Sequence, residues 1–234
     1  MKKNYSKLGR NVIDLQINAL KKTKKLIGNS FNDAVELLSN CKSKVILCGV
    51  GKSGLIAAKI SATLSSVGTP SFTISASNSS HGDLGSISKK DILILISYSG
   101  NTDELKNIIQ YANRFGIKLI GIMSKKNSLL YKNANIKILI PEVKESGYGI
   151  VPTSSTTTQL ALGDAIAISL MKQKRFLKSD FKKFHPSGNL GKRLKTVEDI
   201  MLTKNRIPFI NENFSFNRAL KVINSKKNGV AIVR

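Results

Sequence analysis

Short, continuously apolar runs alternate along this chain with segments in which apolar residues recur at helical spacing. The runs are rich in Val, Ile and Leu, which is typical of strands buried on both faces of a parallel sheet. Strands alternating with helices predict an α/β fold, a parallel-sheet three-layer αβα sandwich of the Rossmann or flavodoxin type. The predicted strands are residues 44–49, 71–74, 92–97, 119–123 and 136–140. The predicted helices are 11–27, 30–41 with a cap at Asn29–Ser30, 55–66, 103–115 and 156–172.

Ligands of open parallel sheets bind outside the carboxyl ends of the strands, so the loops there form the candidate site. In this sequence those loops are residues 49–54, 75–85, 97–104 and 141–157. They hold glycines and hydroxyl side chains, the groups that commonly surround a bound anion.

The first of these loops, residues 49–54 (GVGKSG), has GxGxxG spacing between a strand and a helix. A dinucleotide-binding fold would also need an acidic residue near the end of the second strand, and residues 71–80 contain none. A Walker A motif would need glycine at position 46, which is Ile46. Two interpretations stay open: a turn whose amides and helix N-terminus bind an anion, or a tight turn that only connects strand and helix.

Two further loops are rich in hydroxyls. Residues 97–102 (SYSGNT) follow a buried strand, and residues 153–158 (TSSTTT) begin a helix. Hydroxyls and free amides arranged in this way satisfy the acceptor oxygens of a phosphate. Ordinary helix capping is the alternative, because Ser and Thr are common N-caps. The candidate ligands in these loops are Ser97, Ser99, Thr102, Ser154 and Ser155.

Six short stretches combine into one pattern: GVGKSG at 49–54, GTP at 68–70, HGDLG at 81–85, SYSGNT at 97–102, PTSSTT at 152–157 and HPSGNLG at 185–191. In order and spacing this pattern resembles the sugar-isomerase (SIS) domain family, and within it the arabinose-5-phosphate isomerases. The resemblance implies an aldose–ketose isomerase that interconverts D-arabinose 5-phosphate and D-ribulose 5-phosphate through an enediol, without a cofactor. It also implies a homotetramer that feeds the synthesis of 3-deoxy-D-manno-octulosonate (Kdo) and lipopolysaccharide.

The resemblance assigns roles by position. Its four catalytically important side chains fall on Lys52, Glu104, Glu145 and His185. A carboxylate would remove the C2 proton, with Glu145 favoured and Glu104 as the alternative. His185 would assist ring opening, and Lys52 would offset charge on the enediolate or the phosphate. Besides the hydroxyls named above, the substrate-binding residues are Gly51, Ser53, Gly68, Thr69 and His81.

Two departures from the family pattern lie close to the site. Ser75 and Asn78 stand where the family usually has His and Glu. That His can hold zinc in relatives, so we expect no metal site here. Residues 146–150 (SGYGI) replace a stretch that contains Cys and Pro in the family and is one residue longer. This change lies directly beside Glu145.

The composition argues against several other classes of protein. Apolar residues make up 41% of the chain and charged residues 22%, and no apolar run approaches the roughly 20 residues that span a bilayer. The N-terminus lacks the continuous apolar segment of a signal peptide, so we expect a cytoplasmic protein with no membrane partner. The two cysteines, Cys41 and Cys48, form neither a disulfide framework nor a metal-binding motif.

The net charge of +24 raises the possibility of nucleic-acid binding. The charge comes from 31 Lys and only 7 Arg, scattered in ones and twos, without clustered Arg readers or aromatic platforms. We therefore expect no specific nucleic-acid partner, although a salt-sensitive attraction to polyanions is the alternative.

The chain is predicted to hold a SIS domain at residues 1–197 and a fragment at 198–234 that resembles an incomplete first CBS module. The fragment contains strand-like residues 207–210, helical residues 215–224 and strand-like residues 229–233. Two rival functions stay open. One is an isomerase of another sugar phosphate, and the other is a non-catalytic sugar-phosphate sensor, since SIS domains also occur in regulators.

Overall fold

The computed structural model describes residues 4–79, 82–184 and 197–234. The chain divides into two units, residues 1–184 and residues 185–234. The division falls after Phe184, whereas the sequence predicts the domain boundary after Val197.

The predicted strands of the first unit form one parallel sheet with the order β2-β1-β3-β4-β5. Every residue of β3 is buried, as expected for a strand covered on both faces. The predicted α/β class and all five strand positions are confirmed. The strands are β1 (Val45–Gly49), β2 (Ser71–Thr73), β3 (Ile92–Ile96), β4 (Lys118–Met123) and β5 (Ile136–Leu139).

The helices of this unit follow the predicted pattern with shifted ends. The predicted Asn29–Ser30 cap is wrong, because Gly28 occupies the cap position and no side chain closes that end. The segment predicted as one helix from residue 103 begins as a 3₁₀ turn (Asp103–Leu105). The helices are α1 (Tyr5–Leu26), α2 (Asn29–Ser39), α3 (Lys52–Ser66), α4 (Ala76–Ser79), α5 (Lys106–Phe115), α6 (Leu129–Asn133), α7 (Gly147–Ile150), α8 (Ser154–Gln173) and α9 (Lys178–Phe184).

Two apolar clusters cover the two faces of the sheet. One joins α2, α3 and α8 to residues such as Val45 and Leu47 of β1. The other joins α5 and α6 to the alternate residues Ile46 and Cys48 of the same strand. This alternation produces the three predicted layers.

The sheet contains a topological switch point between β1 and β3. These strands are neighbours in register, with Gly49 opposite Ile96, yet α3 and α5, which follow them, pack on opposite faces. A crevice opens outside the carboxyl ends of two strands related in this way, and ligands of open α/β sheets bind there. The loops after β1 and β3 are therefore the best-placed candidates for binding.

The second unit contains the predicted strand–helix–strand order. Strands β6 (Phe209–Ile210) and β7 (Ile232–Val233) pair in parallel and are connected through a helix, α11 (Phe216–Lys226). One helical turn, α10 (Val197–Ile200), precedes them. The relation of this unit to CBS modules stays a prediction.

Within the described residues, every helix is too short or too polar to cross a lipid bilayer.

Candidate active site

The turn after β1 leads into the start of α3. Gly51 is the N-cap residue and offers no side chain, so no side-chain hydrogen bond closes this helix end. The first amides of a helix lack intrahelical partners, so those of α3 can donate hydrogen bonds to an external anion. Lys52 and Ser53, both predicted site residues, are the first two residues of the helix; Lys52 is exposed and Ser53 is half-buried.

A cavity of about 420 Å³ opens beside this turn, between the ends of β1 and β2. Its walls include Gly51, Leu55 and Ser75. Cys48 also lines the cavity but is buried, and burial raises the pKa of its thiol to about 12. A thiol with so high a pKa stays protonated and unreactive at neutral pH.

The loop after β3 is organised by its own hydroxyls. The hydroxyls of Ser97 and Thr102 share a hydrogen bond of 2.7 Å, and Ser97 Oγ also accepts the amide of Gly100 at 3.0 Å. Ser99 Oγ accepts the amide of Asn101 at 3.2 Å. The structure thus brings the three predicted hydroxyls into one short loop at the switch point. Because part of the loop's hydrogen bonding is internal, its shape is set before a ligand arrives.

Tyr98 connects this loop to the segment after β5. Its hydroxyl accepts the amide of Val143 at 2.8 Å, two residues before Glu145. Burial raises the pKa of Tyr98 against the opposing effect of the Val143 hydrogen bond. Tyr98 belongs to the SYSGNT motif, but nothing in the sequence indicates its role. Its partner, the amide of Val143, is 45 positions away.

Glu145 closes the N-terminus of α8. Its carboxylate accepts the amides of Thr153 and Ser154 at 2.8 Å each, the amide of Ser155 at 3.2 Å and the hydroxyl of Thr153 at 3.1 Å. Burial alone would raise the pKa of Glu145, but the hydrogen bonds from Ser155, Thr153 and Ser154 outweigh it and hold the pKa below its ordinary value. The carboxylate is thus a fixed, ionised cap.

The hairpin at residues 146–151 produces this cap. Ser146 and Val151 form an antiparallel bridge, with the amide of Val151 donating to the carbonyl of Ser146 at 3.2 Å. Between them Tyr148 takes a left-handed conformation with φ of 60°. The hairpin folds the chain back, so the first amides of α8 meet the side chain of Glu145.

The cap changes the expectation for residues 153–158. The sequence treats this stretch as a second loop free to bind phosphate, but Glu145 already occupies its first amides. The predicted ligands Ser154 and Ser155 are buried, and Ser154 Oγ has no hydrogen-bond partner among the described residues. The start of α8 therefore carries an internal anion, while the start of α3 remains open.

Glu104 lies in the 3₁₀ turn directly after the hydroxyl loop. It is exposed, and among the described residues its carboxylate has no hydrogen-bond partner. The adjacent Asp103 instead pairs with Lys106 at 2.7 Å. Of the two predicted carboxylates, Glu104 is the one with uncommitted oxygens.

Gln159 is a site residue that sequence reasoning missed. Its side chain is wholly buried in α8, and its Oε1 accepts the hydroxyl of Ser53 at 3.2 Å. A glutamine inside a predicted helix gives no signal for such a contact, because the partner is 106 positions away.

The sequence profile of the SIS domain matches residues 37–169, more than half of the chain. The arabinose 5-phosphate isomerase KpsF of Escherichia coli is 41% identical over 213 residues, which are 90% of this chain and 67% of that protein. The arabinose 5-phosphate isomerase KdsD of Francisella tularensis is 39% identical over 224 residues, 94% of this chain and 68% of that protein. The chain belongs to the arabinose 5-phosphate isomerase family of SIS-domain proteins.

A solved structure of this SIS fold comes from Escherichia coli CFT073, a protein in complex with arabinose 5-phosphate. It is 36% identical to this chain, with a TM-score of 0.72, and the match covers 79% of this chain and all of that one. The same fold thus holds a sugar phosphate in a related protein.

Two of the predicted substrate-binding residues lie away from the site loops. Gly68 and Thr69 precede β2, so in an all-parallel sheet they sit at the amino edge, opposite the site loops. Thr69 is buried, and its hydroxyl accepts the ammonium group of Lys174 at 3.0 Å. The fold of this chain therefore does not bring Gly68 and Thr69 to the loops at the carboxyl edge, and their substrate-binding role stays a prediction.

The remaining family positions are divided between described and undescribed parts of the chain. The predicted His81 and His185 lie outside the described residues. Ser75 follows β2, and its hydroxyl shares a hydrogen bond of 2.8 Å with that of Ser77. Among the residues that the structure describes, no three His, Cys, Asp or Glu side chains group in a way that could hold a metal ion.

Proposed function

We propose that this protein interconverts D-arabinose 5-phosphate and D-ribulose 5-phosphate. One observation carries the proposal: the uncapped start of α3 lies beside the preorganised loop at residues 97–102, at the switch point of the sheet. Membership of the arabinose 5-phosphate isomerase family supplies the identity of the sugar.

The phosphate of the substrate would bind between these two elements. The amides at the N-terminus of α3 carry partial positive charge, and Lys52 adds a full charge. Ser53, Ser99 and one hydroxyl of the Ser97–Thr102 pair would donate to the phosphate oxygens, since the other hydrogen of that pair lies in the bond between them. Because Glu145 neutralises the competing start of α8, the dianion is directed to α3.

The sugar would then lie towards the carboxylates. Moving the carbonyl from C1 to C2 requires removal of the C2 proton and protonation of C1 through an enediol. We propose Glu104 as the base, which reverses the order expected from the sequence. The lone pairs of Glu145 are committed to α8 and its pKa is lowered, both of which make it a weak base.

The remaining roles follow the family pattern. Lys52 would offset negative charge that develops on the enediolate, His185 would transfer a proton during ring opening, and His81 would contact the sugar. The protein would act in the cytoplasm as a homotetramer, without a cofactor. Its product pair would feed the synthesis of Kdo and lipopolysaccharide, and residues 198–234 would be the start of a CBS module.

The direct test compares arabinose 5-phosphate with unphosphorylated arabinose. We expect reversible conversion of the phosphorylated sugar to ketose, and a much lower kcat/KM for arabinose, because nothing would engage the start of α3. Production of ketose can be followed colorimetrically with purified protein. Equal rates on both sugars would remove the basis for the phosphate site. Tight binding of arabinose 5-phosphate without turnover would instead indicate a sensor.

Deletion of residues 199–234 should leave kcat/KM largely unchanged. Every proposed site residue lies before Lys195, and the described ones all belong to the first unit. The truncated and full chains would be compared by turnover and by size-exclusion chromatography. A truncated chain that folds and assembles like the full chain, yet is inactive, would show that residues 199–234 contribute to the site.

A further inference from the structure

The buried amide of Gln159 is only half satisfied. Its Oε1 accepts the hydroxyl of Ser53, but its Nε2 has no hydrogen-bond partner among the described residues, and the side chain is 0% exposed. A buried donor without a partner is destabilising, because it has lost its hydrogen bonds to water and gained none in return, so most buried donors find a partner. By contrast Thr158, the neighbouring buried residue, donates to the carbonyl of Ser154 in its own helix at 2.9 Å.

The position of Gln159 is set by close packing of α3 against α8. Gly163 makes this possible, because a Cβ there would overlap the side chain of Ile60 (3.0 Å from its Cγ2). Beside this contact, an ion pair between Lys59 of α3 and Asp164 of α8 links the two helices. The contact between Ser53 and Gln159 lies towards the N-termini of both helices, at the edge of the sheet that carries the site.

We propose that Gln159 is a positioning residue that aims the Ser53 hydroxyl at the phosphate of the substrate, an inference that rests on the proposed function. Ser53 has one hydrogen, which it currently donates to Gln159. A phosphate dianion accepts hydrogen bonds and offers none, so that hydrogen must turn towards it. A half-turn of the Gln159 amide exchanges its oxygen and nitrogen and lets Nε2 donate to Ser53 Oγ. The result is a relay from Gln159 through Ser53 to the phosphate.

The relay also explains the unpaired donor. In the half-turned amide the nitrogen donates to Ser53, and the atom left without a partner is the carbonyl oxygen. Unpaired buried carbonyls occur more often in proteins than unpaired buried N–H groups. Phosphate binding would therefore favour one orientation of the amide.

The test replaces Gln159 by Met, which keeps the length of the side chain and removes both polar atoms. Gln159→Met should raise KM for arabinose 5-phosphate about tenfold, the loss expected for one charge-assisted hydrogen bond, with little change in kcat. Thr158→Val, at the neighbouring buried position, is the matched control and should leave KM unchanged. A structural role alone would not confine the loss to KM.

Two further measurements separate positioning from general damage. The Gln159→Met effect should vanish for unphosphorylated arabinose, and it should vanish in a Ser53→Ala background, because Gln159 acts through Ser53. An unchanged KM, a similar loss with arabinose, or a full additional loss in the Ser53→Ala background would each overturn the proposal. If Gln159→Met does not fold, Gln159→Leu also removes both polar atoms and should raise KM by a similar factor.

Failure of the Gln159 proposal can be distinguished from failure of the isomerase assignment. If the protein proves inactive, the same variants are compared by calorimetric titration with inorganic phosphate. A weaker affinity in Gln159→Met, absent in the Ser53→Ala background, would support the relay even then. An unchanged affinity would reject it.

Discussion

Glu104→Gln should lower kcat by about a hundredfold to ten-thousandfold with little change in KM. The substitution keeps the shape of the side chain but removes the base that would take the C2 proton, and general-base catalysis typically contributes a factor of this size. An effect confined to kcat indicates an interaction made in the transition state. The variant should also stop exchange of the C2 proton with deuterated solvent, which NMR of recovered substrate can follow.

Glu145→Gln is the matched control, with a different expected signature. Glutamine has one acceptor oxygen in place of two, and its NH₂ group would face the amides of Thr153–Ser155. We expect lower stability and a distorted site, while C2 exchange persists at a reduced rate. If Glu145→Gln abolishes exchange and Glu104→Gln preserves it, Glu145 is the base.

The lowered pKa of Glu145 also predicts how the stability of the fold depends on pH. A carboxyl whose folded pKa lies below its unfolded value stabilises the fold above the unfolded pKa. That stabilisation is lost as pH falls through the folded pKa. The wild-type protein should therefore lose more stability on acidification than Glu145→Gln does.

The fold could be predicted because strands buried on both faces of a sheet are continuously apolar in sequence. In β3 every position is apolar, a pattern that an exposed helix or a half-buried hairpin does not produce. The loops at residues 49–54 and 97–102 both follow strands of a parallel sheet, so they could be placed at the same edge without knowledge of any contact. Both loops lie where that argument predicted them.

What could not be predicted depends on contacts between distant segments. The capping by Glu145 requires the hairpin at residues 146–151, and the Gln159 contact requires two helices to pack side by side. Neither arrangement has a local sequence signature. The position of Gly68 and Thr69 at the amino edge could not be predicted for another reason: a shared motif shows relatedness but not which edge of the sheet a residue occupies.

Gly100→Ala should destabilise the protein by several kcal/mol and disrupt the hydroxyl loop. Gly100 has φ of 69°, where an L side chain costs about 1–2 kcal/mol. A Cβ at this position would also overlap the Ser128 side chain, lying 2.5 Å from its Cβ, and overpacking typically adds about 1–3 kcal/mol. The amide of Gly100 donates to Ser97 Oγ and its carbonyl accepts from Leu130, so any shift reaches the proposed phosphate site.

Gly116→Ala separates the cost of the left-handed backbone conformation from the cost of the overlap with Ser128. Gly116 has nearly the same φ, 65°, at the end of α5, but a Cβ there would meet no atom within 4 Å. Only the backbone cost of about 1–2 kcal/mol should remain, and KM for arabinose 5-phosphate should not change. Urea unfolding of both variants measures the difference, and turnover assays show whether KM rises in Gly100→Ala alone. Equal destabilisation by the two substitutions would mean that the loop yields to the added methyl group, and that the site is less preorganised than its hydrogen bonds indicate.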